Sequence, residues 1–210
     1  MNEHQLRDQI VELGKSLYDR GLAHGSAGNI SVKLADGYLL TPTNSCLGRL
    51  DPARISRLDG NGTMVSGDAP SKEVFLHLGM YHERASSTAV VHLHSLHAVA
   101  VSCLDGLNPE NVFPPITAYA IMQVGQLALV PYFAPGDGAL ADAVRKVAGK
   151  HHAVLLANHG PVVAGTSLTA AVYAIEELEQ TARLMLLLQD HPTRLLTPAQ
   201  IADLNRRFPG

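Results

Sequence analysis

No tryptophan occurs in the 210 residues, and aromatic side chains make up only 5%. The amphipathic rings that favour membrane interfaces and docking hot spots are therefore scarce. Charge is scarce too: charged residues are 17%, with a net charge of −3 when the histidines are neutral. Without a basic excess the chain lacks the cationic patch that nucleic acid or an anionic lipid surface demands, so neither is an expected partner. No run of about 18 apolar residues is present, which argues against a membrane-spanning helix. The start Met1-Asn2-Glu3-His4 has no basic stretch followed by an apolar one, so no secretory leader is expected. The only two cysteines, Cys46 and Cys103, form no Cys-x-x-Cys pair. They read as reduced thiols of a cytoplasmic protein. Repeats, linkers and low-complexity stretches are also missing.

What the chain does have is apolar residues, 46% of the total. That is enough for a sizeable core in one domain spanning 1–210. Leu6, Ile10, Leu13 and Leu17 recur at helical spacing, with Gly21 as a stop. A Gly-rich loop, Gly25-Ser26-Ala27-Gly28-Asn29, precedes a predicted hairpin of 30–33 and 38–41 around Ala35-Asp36-Gly37. Thr41-Pro42-Thr43-Asn44 is a loop, and 55–58 and 63–65 are short strands. Pro70 and Ser71 are expected to open a helix with Val74, Leu78 and Tyr81 on its inner face. Further strands are expected over 89–94, 126–131, 153–156 and 162–164. Further helices are expected over 97–104, from Gly136-Asp137 with the stripe Leu140, Val144 and Val147, and after Ser167 with Ala171, Ile175, Leu178, Ala182 and Met185 inward. Thr197-Pro198-Ala199-Gln200 is a capping box that starts a last short helix. Strands interleaved with helices over one core predict an α/β sheet with helices on both faces.

Eleven histidines are present, and the run Val90-Val91-His92-Leu93-His94 carries the strongest chemical signal. Side chains two apart on a strand share a face, so His92 and His94 converge while Val91 and Leu93 turn the other way. Neutral imidazole is the commonest protein ligand of zinc, and a catalytic site needs three protein ligands and an open position. His159, after the buried stretch Leu155-Leu156 and before Gly160, is the candidate third ligand. A His-x-His by itself is also compatible with ordinary core or surface histidines. His97, His151 and His152 are assigned to that ordinary class; the last two follow a helix C-terminus, where positive character is favoured. Imidazole does not select the metal, and iron or manganese would also suit.

Taken together, Gly28-Asn29-Ile30-Ser31, Thr41-Pro42-Thr43, Ser71-Lys72-Glu73, His92-Leu93-His94 and Asn158-His159-Gly160 resemble, in order and spacing, the class II aldolase/adducin family. The likeness covers nearly the whole chain. It is closest to the branch that decarboxylates 3-oxo-tetronate 4-phosphates. The resemblance implies a three-layer α/β/α fold with a central mixed, largely antiparallel sheet, and a homo-tetramer with active sites near subunit contacts. It implies Zn2+ (with Mn2+, Fe2+ or Co2+ as alternatives) on His92, His94 and His159, with Glu73 beside the metal as ligand or acid/base. It also implies a phosphate site from Gly28, Asn29, Thr43, Asn44 and Ser71. Backbone N–H groups and small hydroxyl or amide donors are indeed what a phosphate wants, although Gly, Asn and Ser are common in any tight turn. Relatives that cleave neutral sugar phosphates often carry a second serine where this chain has Lys72. A lysine there adds a cation suited to an acidic sugar phosphate, unless it points to solvent.

The reaction so implied is loss of CO2 from a β-keto acid, which leaves an enediolate that a divalent cation can stabilise as a Lewis acid. Protonation at C2 yields dihydroxyacetone phosphate. Glu73 is the first candidate for the proton donor and Tyr119, in a Pro-containing loop, the second; Tyr119 could equally be a half-buried packing residue. Two other readings stay open. One is an aldolase or epimerase of a neutral sugar phosphate, because the same enediolate serves both reactions. The other is a metal-free, adducin-like scaffold.

Overall fold

The computed structural model describes residues 1–134 and 136–208. Its centre is an eight-stranded sheet in the order β4-β3-β2-β1-β5-β8-β7-β6. The strands are β1 (Asn29–Leu34), β2 (Gly37–Leu40), β3 (Ser56–Asp59), β4 (Met64–Ser66), β5 (Ala89–His92), β6 (Ala128–Val130), β7 (Ala153–Leu156) and β8 (Gly160–Gly165). Every neighbouring pair is antiparallel except β6 and β7. The sheet is therefore mixed and largely antiparallel, as expected.

Helices cover both faces. They are α1 (Glu3–Asp19), α2 (Val74–Glu83), α3 (Leu96–Ser102), α4 (Ala139–Ala148), α5 (Leu168–Leu187) and α6 (Pro198–Arg207). The alternation of side chains along the central strands divides the core in two. Val91, Leu93, Leu155 and Val163 pack with Ile10 and Leu17 of α1, Val101 of α3, and Ile175 and Leu178 of α5. Their neighbours Val90, Val154, Leu156 and Val162 pack on the other face with Leu76 and Met80 of α2 and Leu140 and Val144 of α4. The central strands are apolar on both faces because both faces are covered. No described helix is long and apolar enough to cross a membrane.

Three details depart from the sequence reading. The helix expected to open at Pro70-Ser71 begins at Val74, with Glu73 at the N-cap position. Pro70 is held in a bridge to Pro42, and the Ser71 N–H donates to the Thr41 carbonyl. Those cross-loop bonds keep the segment non-helical until Glu73. The buried face of α2 carries Leu76, His77, Met80 and Tyr81 rather than a Val74–Leu78–Tyr81 stripe. Leu78 instead lies against the turn at Gly62. The strand expected to run to His94 ends at His92, although the Leu93 N–H still donates to the Pro161 carbonyl.

Candidate metal centre

Three elements meet at one end of the sheet. β5 and its extension carry His92 and His94. The turn between β7 and β8 carries His159, and the N-cap of α2 carries Glu73. β5 and β8 pair directly, with His92 opposite Val162, so the two histidine-bearing segments are neighbours by register. Gly160 has φ of +153°, and a Cβ there would stand 2.4 Å from the Leu93 carbonyl oxygen. A side chain at that position would drive the two segments apart.

The result is a tight cluster. The ligand-type atoms of Glu73, His92, His94 and His159 all lie within 4.8 Å of one another. Nε2 of His92 is 3.0 Å from Nε2 of His94. Glu73 Oε2 is 3.5 Å from His92 Nε2, and Oε1 is 3.3 Å from His159 Nε2. A cation bound tetrahedrally at about 2.0–2.1 Å sets its ligands roughly 3.3–3.4 Å apart. Those three separations, 3.0 to 3.5 Å, bracket that value. The Nδ1–H of buried His92 donates to the Pro161 carbonyl at 2.9 Å, which leaves Nε2 as a lone pair facing the cluster. Such a second bond orients a metal-ligating histidine and sets its tautomer. Neither cysteine belongs to the group.

The electrostatics agree. Burial pushes His92 below its ordinary value, and burial with the nearby imidazoles pushes His94 down to about 3. These rings are therefore neutral and able to donate lone pairs. Burial alone would raise Glu73, but its contact with His159 and the bond from the Asn29 amide hold it well below the usual carboxylate range. Neutral nitrogens around one carboxylate form a donor set for a divalent ion.

The cluster opens into a cleft of about 540 Å³, within the size range of small-ligand sites. Gly28, Asn29, Thr43, Asn44, Ser71 and Lys72 all line it, together with Glu73, His94 and His159. The predicted loops thus do come together beside the predicted ligands. Lys72 is the only lysine or arginine among those lining residues. Tyr119 is not among them; its side chain is 63% exposed, just ahead of a π-helical turn over Ala120–Val124. The half-buried packing role is thus not what the structure shows, and within one chain Tyr119 does not reach the cluster. His97, His151 and His152 bind Glu179 and the carbonyls of Gln126 and Gln123, in keeping with their ordinary assignment.

The sequence reading missed several members of this site. Tyr132, Phe133, Gly136 and Asn158 also line the cleft. Asn29 is more than a loop donor: its amide donates to Glu73 at 2.7 Å and its carbonyl faces His77. His77 itself could have been found from its i+4 spacing to Glu73, which puts both on one side of a helix.

Residues 8–186 match the sequence model described as Class II Aldolase and Adducin N-terminal domain. The chain belongs to this family. It is 50% identical, over 96% of each chain, to a protein of Escherichia coli K12 named 3-oxo-tetronate 4-phosphate decarboxylase. It is 32% identical, over 99% of this chain and 96% of the other, to the L-fuculose phosphate aldolase of the same bacterium. The crystal structure of YgbL from Escherichia coli superposes with a TM-score of 0.94 at 48% identity, covering 96% of this chain and 98% of that one. The α/β architecture is that of class II aldolases.

Proposed function

We propose that this chain is a metal-dependent carboxy-lyase that converts a 3-oxo-tetronate 4-phosphate to dihydroxyacetone phosphate and CO2. The observation that carries the reading is the Glu73–His92–His94–His159 cluster beside a cleft lined by Gly28, Asn29, Thr43, Asn44, Ser71 and Lys72. The 50% identity to a decarboxylase, against 32% to an aldolase, supports the choice of reaction.

His92, His94, His159 and Glu73 would hold a divalent ion, with zinc first and manganese, iron(II) or cobalt as alternatives. When bound, that ion supplies a Lewis acid for the charge that develops on the substrate. The protein's own residues do the rest. Thr43, Asn44, Ser71 and the backbone at Gly28 and Asn29 would receive the phosphate. Lys72 would pair with the second anionic end of the substrate. The C1–C2 bond breaks, CO2 leaves, and the electron pair spreads over C2 and C3. A proton then returns to C2.

Glu73 is ionised in this arrangement, so it serves first as the carboxylate of the cluster and can deliver a proton only after taking one up. Tyr119, exposed on its own chain, would act as the acid only from a second copy placed against the cleft. The proposed homo-tetramer provides for such a copy, and its place is the cytoplasm.

The test is to incubate the zinc-loaded protein with a 3-oxo-tetronate 4-phosphate and, separately, with a neutral sugar 1-phosphate. Stoichiometric CO2 and dihydroxyacetone phosphate from the first are expected. Aldehyde release from the second without CO2 from the first would make the protein an aldolase. A scaffold role has no observation in its favour, since all four donor groups are in place.

A further inference from the structure

Behind Glu73 a chain of buried polar side chains runs into the interface between α2 and the sheet. Asn29 Nδ2 donates to Glu73 Oε2 at 2.7 Å. Asn29 Oδ1 lies 2.5 Å from His77 Nε2. His77 Nδ1 lies 2.7 Å from Ser31 Oγ, which is 2.9 Å from the Tyr81 hydroxyl. His77 is 1% exposed, Ser31 2%, Tyr81 3% and Asn29 5%. Four polar residues are thus placed in the sheet–helix core where apolar ones would pack at lower cost.

The direction of every bond follows from one end. An ionised carboxylate only accepts, so Asn29 must present its NH2 to Glu73 and its carbonyl to His77. His77 Nε2 must then carry the hydrogen. Burial pushes His77 down to about 3, so the ring is neutral and Nδ1 is bare. Ser31 therefore donates to Nδ1, and its oxygen accepts from Tyr81, whose phenol burial keeps protonated. All four bonds point at Glu73.

We propose that His77 is a positioning residue: through this one-way chain it locks the Asn29 amide with its nitrogen toward Glu73 and the cleft, and so holds Glu73 at the metal. A flipped Asn29 would set its carbonyl against the carboxylate, which only repels. The locked amide commits one N–H to Glu73 and leaves the other for the cleft that Asn29 lines. The role rests on the metal reading of the cluster but not on the choice of substrate.

The two side-chain amides separate His77's two bonds. In His77→Gln the N–H stands near the place of Nε2 and can still donate to Asn29. In His77→Asn the group stands near the place of Nδ1 and cannot, and His77→Leu removes both bonds. Zinc affinity is read by chelator competition on metal-stripped protein, with folding checked by circular dichroism. Supports of metal ligands are worth about 10- to 100-fold in affinity. That loss is expected for His77→Asn and His77→Leu, with His77→Gln within about 3-fold of wild type. Equal losses in all three, or no loss in His77→Asn, would overturn the role. On the wild-type, metal-free protein, imidazole 15N shifts should show His77 as the neutral Nε2–H tautomer; the Nδ1–H tautomer would overturn the chain's direction. A wild-type protein that takes up no zinc would overturn the metal reading and the effect on affinity with it, whereas absence of CO2 with the expected affinities would fail the substrate assignment alone.

Discussion

Gly160→Ala should damage the metal centre more than the fold. A Cβ on Gly160 would stand 2.4 Å from the Leu93 carbonyl oxygen and 3.4 Å from the His94 Cα. Real Cβ contacts essentially never fall under 3.0 Å, so the two strands must separate by about 0.6 Å. A usable metal site tolerates ligand errors of only about 0.2 Å. The separation falls between His159 on one side and His92 and His94 on the other, the pairs that must converge. Affinity for zinc should drop by on the order of 100-fold or more. The positive φ of +153° adds strain of about 1–3 kcal/mol, equivalent to roughly 2–12 °C of melting temperature for a domain of this size. The control is Gly165→Ala on the same strand, whose Cβ would meet Ala171 N at 2.6 Å and Cα at 2.9 Å. Its clash is comparable and lies at the other end of β8, where Gly165 pairs with Ala89. Chelator competition and thermal melting on both variants decide the matter. Wild-type zinc affinity in Gly160→Ala, or an equal loss in Gly165→Ala, would refute the argument from strand separation.

Further outcomes are expected. His94→Ala should abolish metal uptake and turnover together; turnover that survives while metal analysis reads zero would exclude the cluster from catalysis. Glu73→Gln should lower zinc affinity at least as far as His77→Asn does, and with zinc supplied to saturation should still lose about 10²–10⁴ in kcat; near-normal kcat at saturating zinc would show that another group moves the proton. Lys72→Ser should raise KM for an acidic sugar phosphate about 10- to 100-fold, the worth of a hydrogen bond to a charged group, and should leave metal content alone; an unchanged KM would place Lys72 in solvent. His77 has a folded-state value near 3 against an ordinary 6.5, so the unfolded chain binds a proton between those limits that the folded chain cannot. Stability of the metal-free protein should therefore fall as pH drops below about 6.5, at up to about 1.4 kcal/mol per pH unit from this residue. Urea midpoints that stay flat from pH 7.5 to 5 would contradict a buried neutral His77.

His92 and His94 were legible as a pair because they obey a local rule, whereas Glu73 was reached only through the family resemblance. His92 and His94 sit two apart at the end of β5, and the convergence that spacing predicts is present although the strand stops at His92. The apolar period of α5 and the capping box before α6 were equally local, and both are present. The start of α2 was not legible. Its first turn is undone by the Pro42–Pro70 bridge and the Ser71–Thr41 bond, contacts between segments almost 30 residues apart. The inner face of α2 was misjudged for a related reason: His77 looks polar in sequence, yet it is buried because Asn29 and Ser31 on β1 wait to bind it. Tyr119 shows the limit from the other side. A phenol in a loop can be proposed as an acid from sequence, but which surface it faces depends on how the loop leaves the sheet.

What the fold contributes to chemistry is a division of labour between rigid and adaptable parts. His92 is carried by a paired strand, His159 by the short turn between the paired strands β7 and β8, and Glu73 is tied to β1 through Asn29. Nothing in that set distinguishes loss of CO2 from release of an aldehyde, because both leave the same enediolate. The distinction has to come from the loops that receive the rest of the substrate, and there Lys72 stands as the one cation in the cleft lining. A β-keto acid phosphate carries two anionic ends and a neutral sugar phosphate only one. On the proposed reading the hydroxyl and amide donors of Thr43, Asn44 and Ser71 would take the phosphate, which leaves Lys72, in the same cleft lining, for the second end. On the proposed reading, specificity for the acid would come from the charge of Lys72 rather than from the metal cluster or the His77 chain, and the KM of Lys72→Ser is its test.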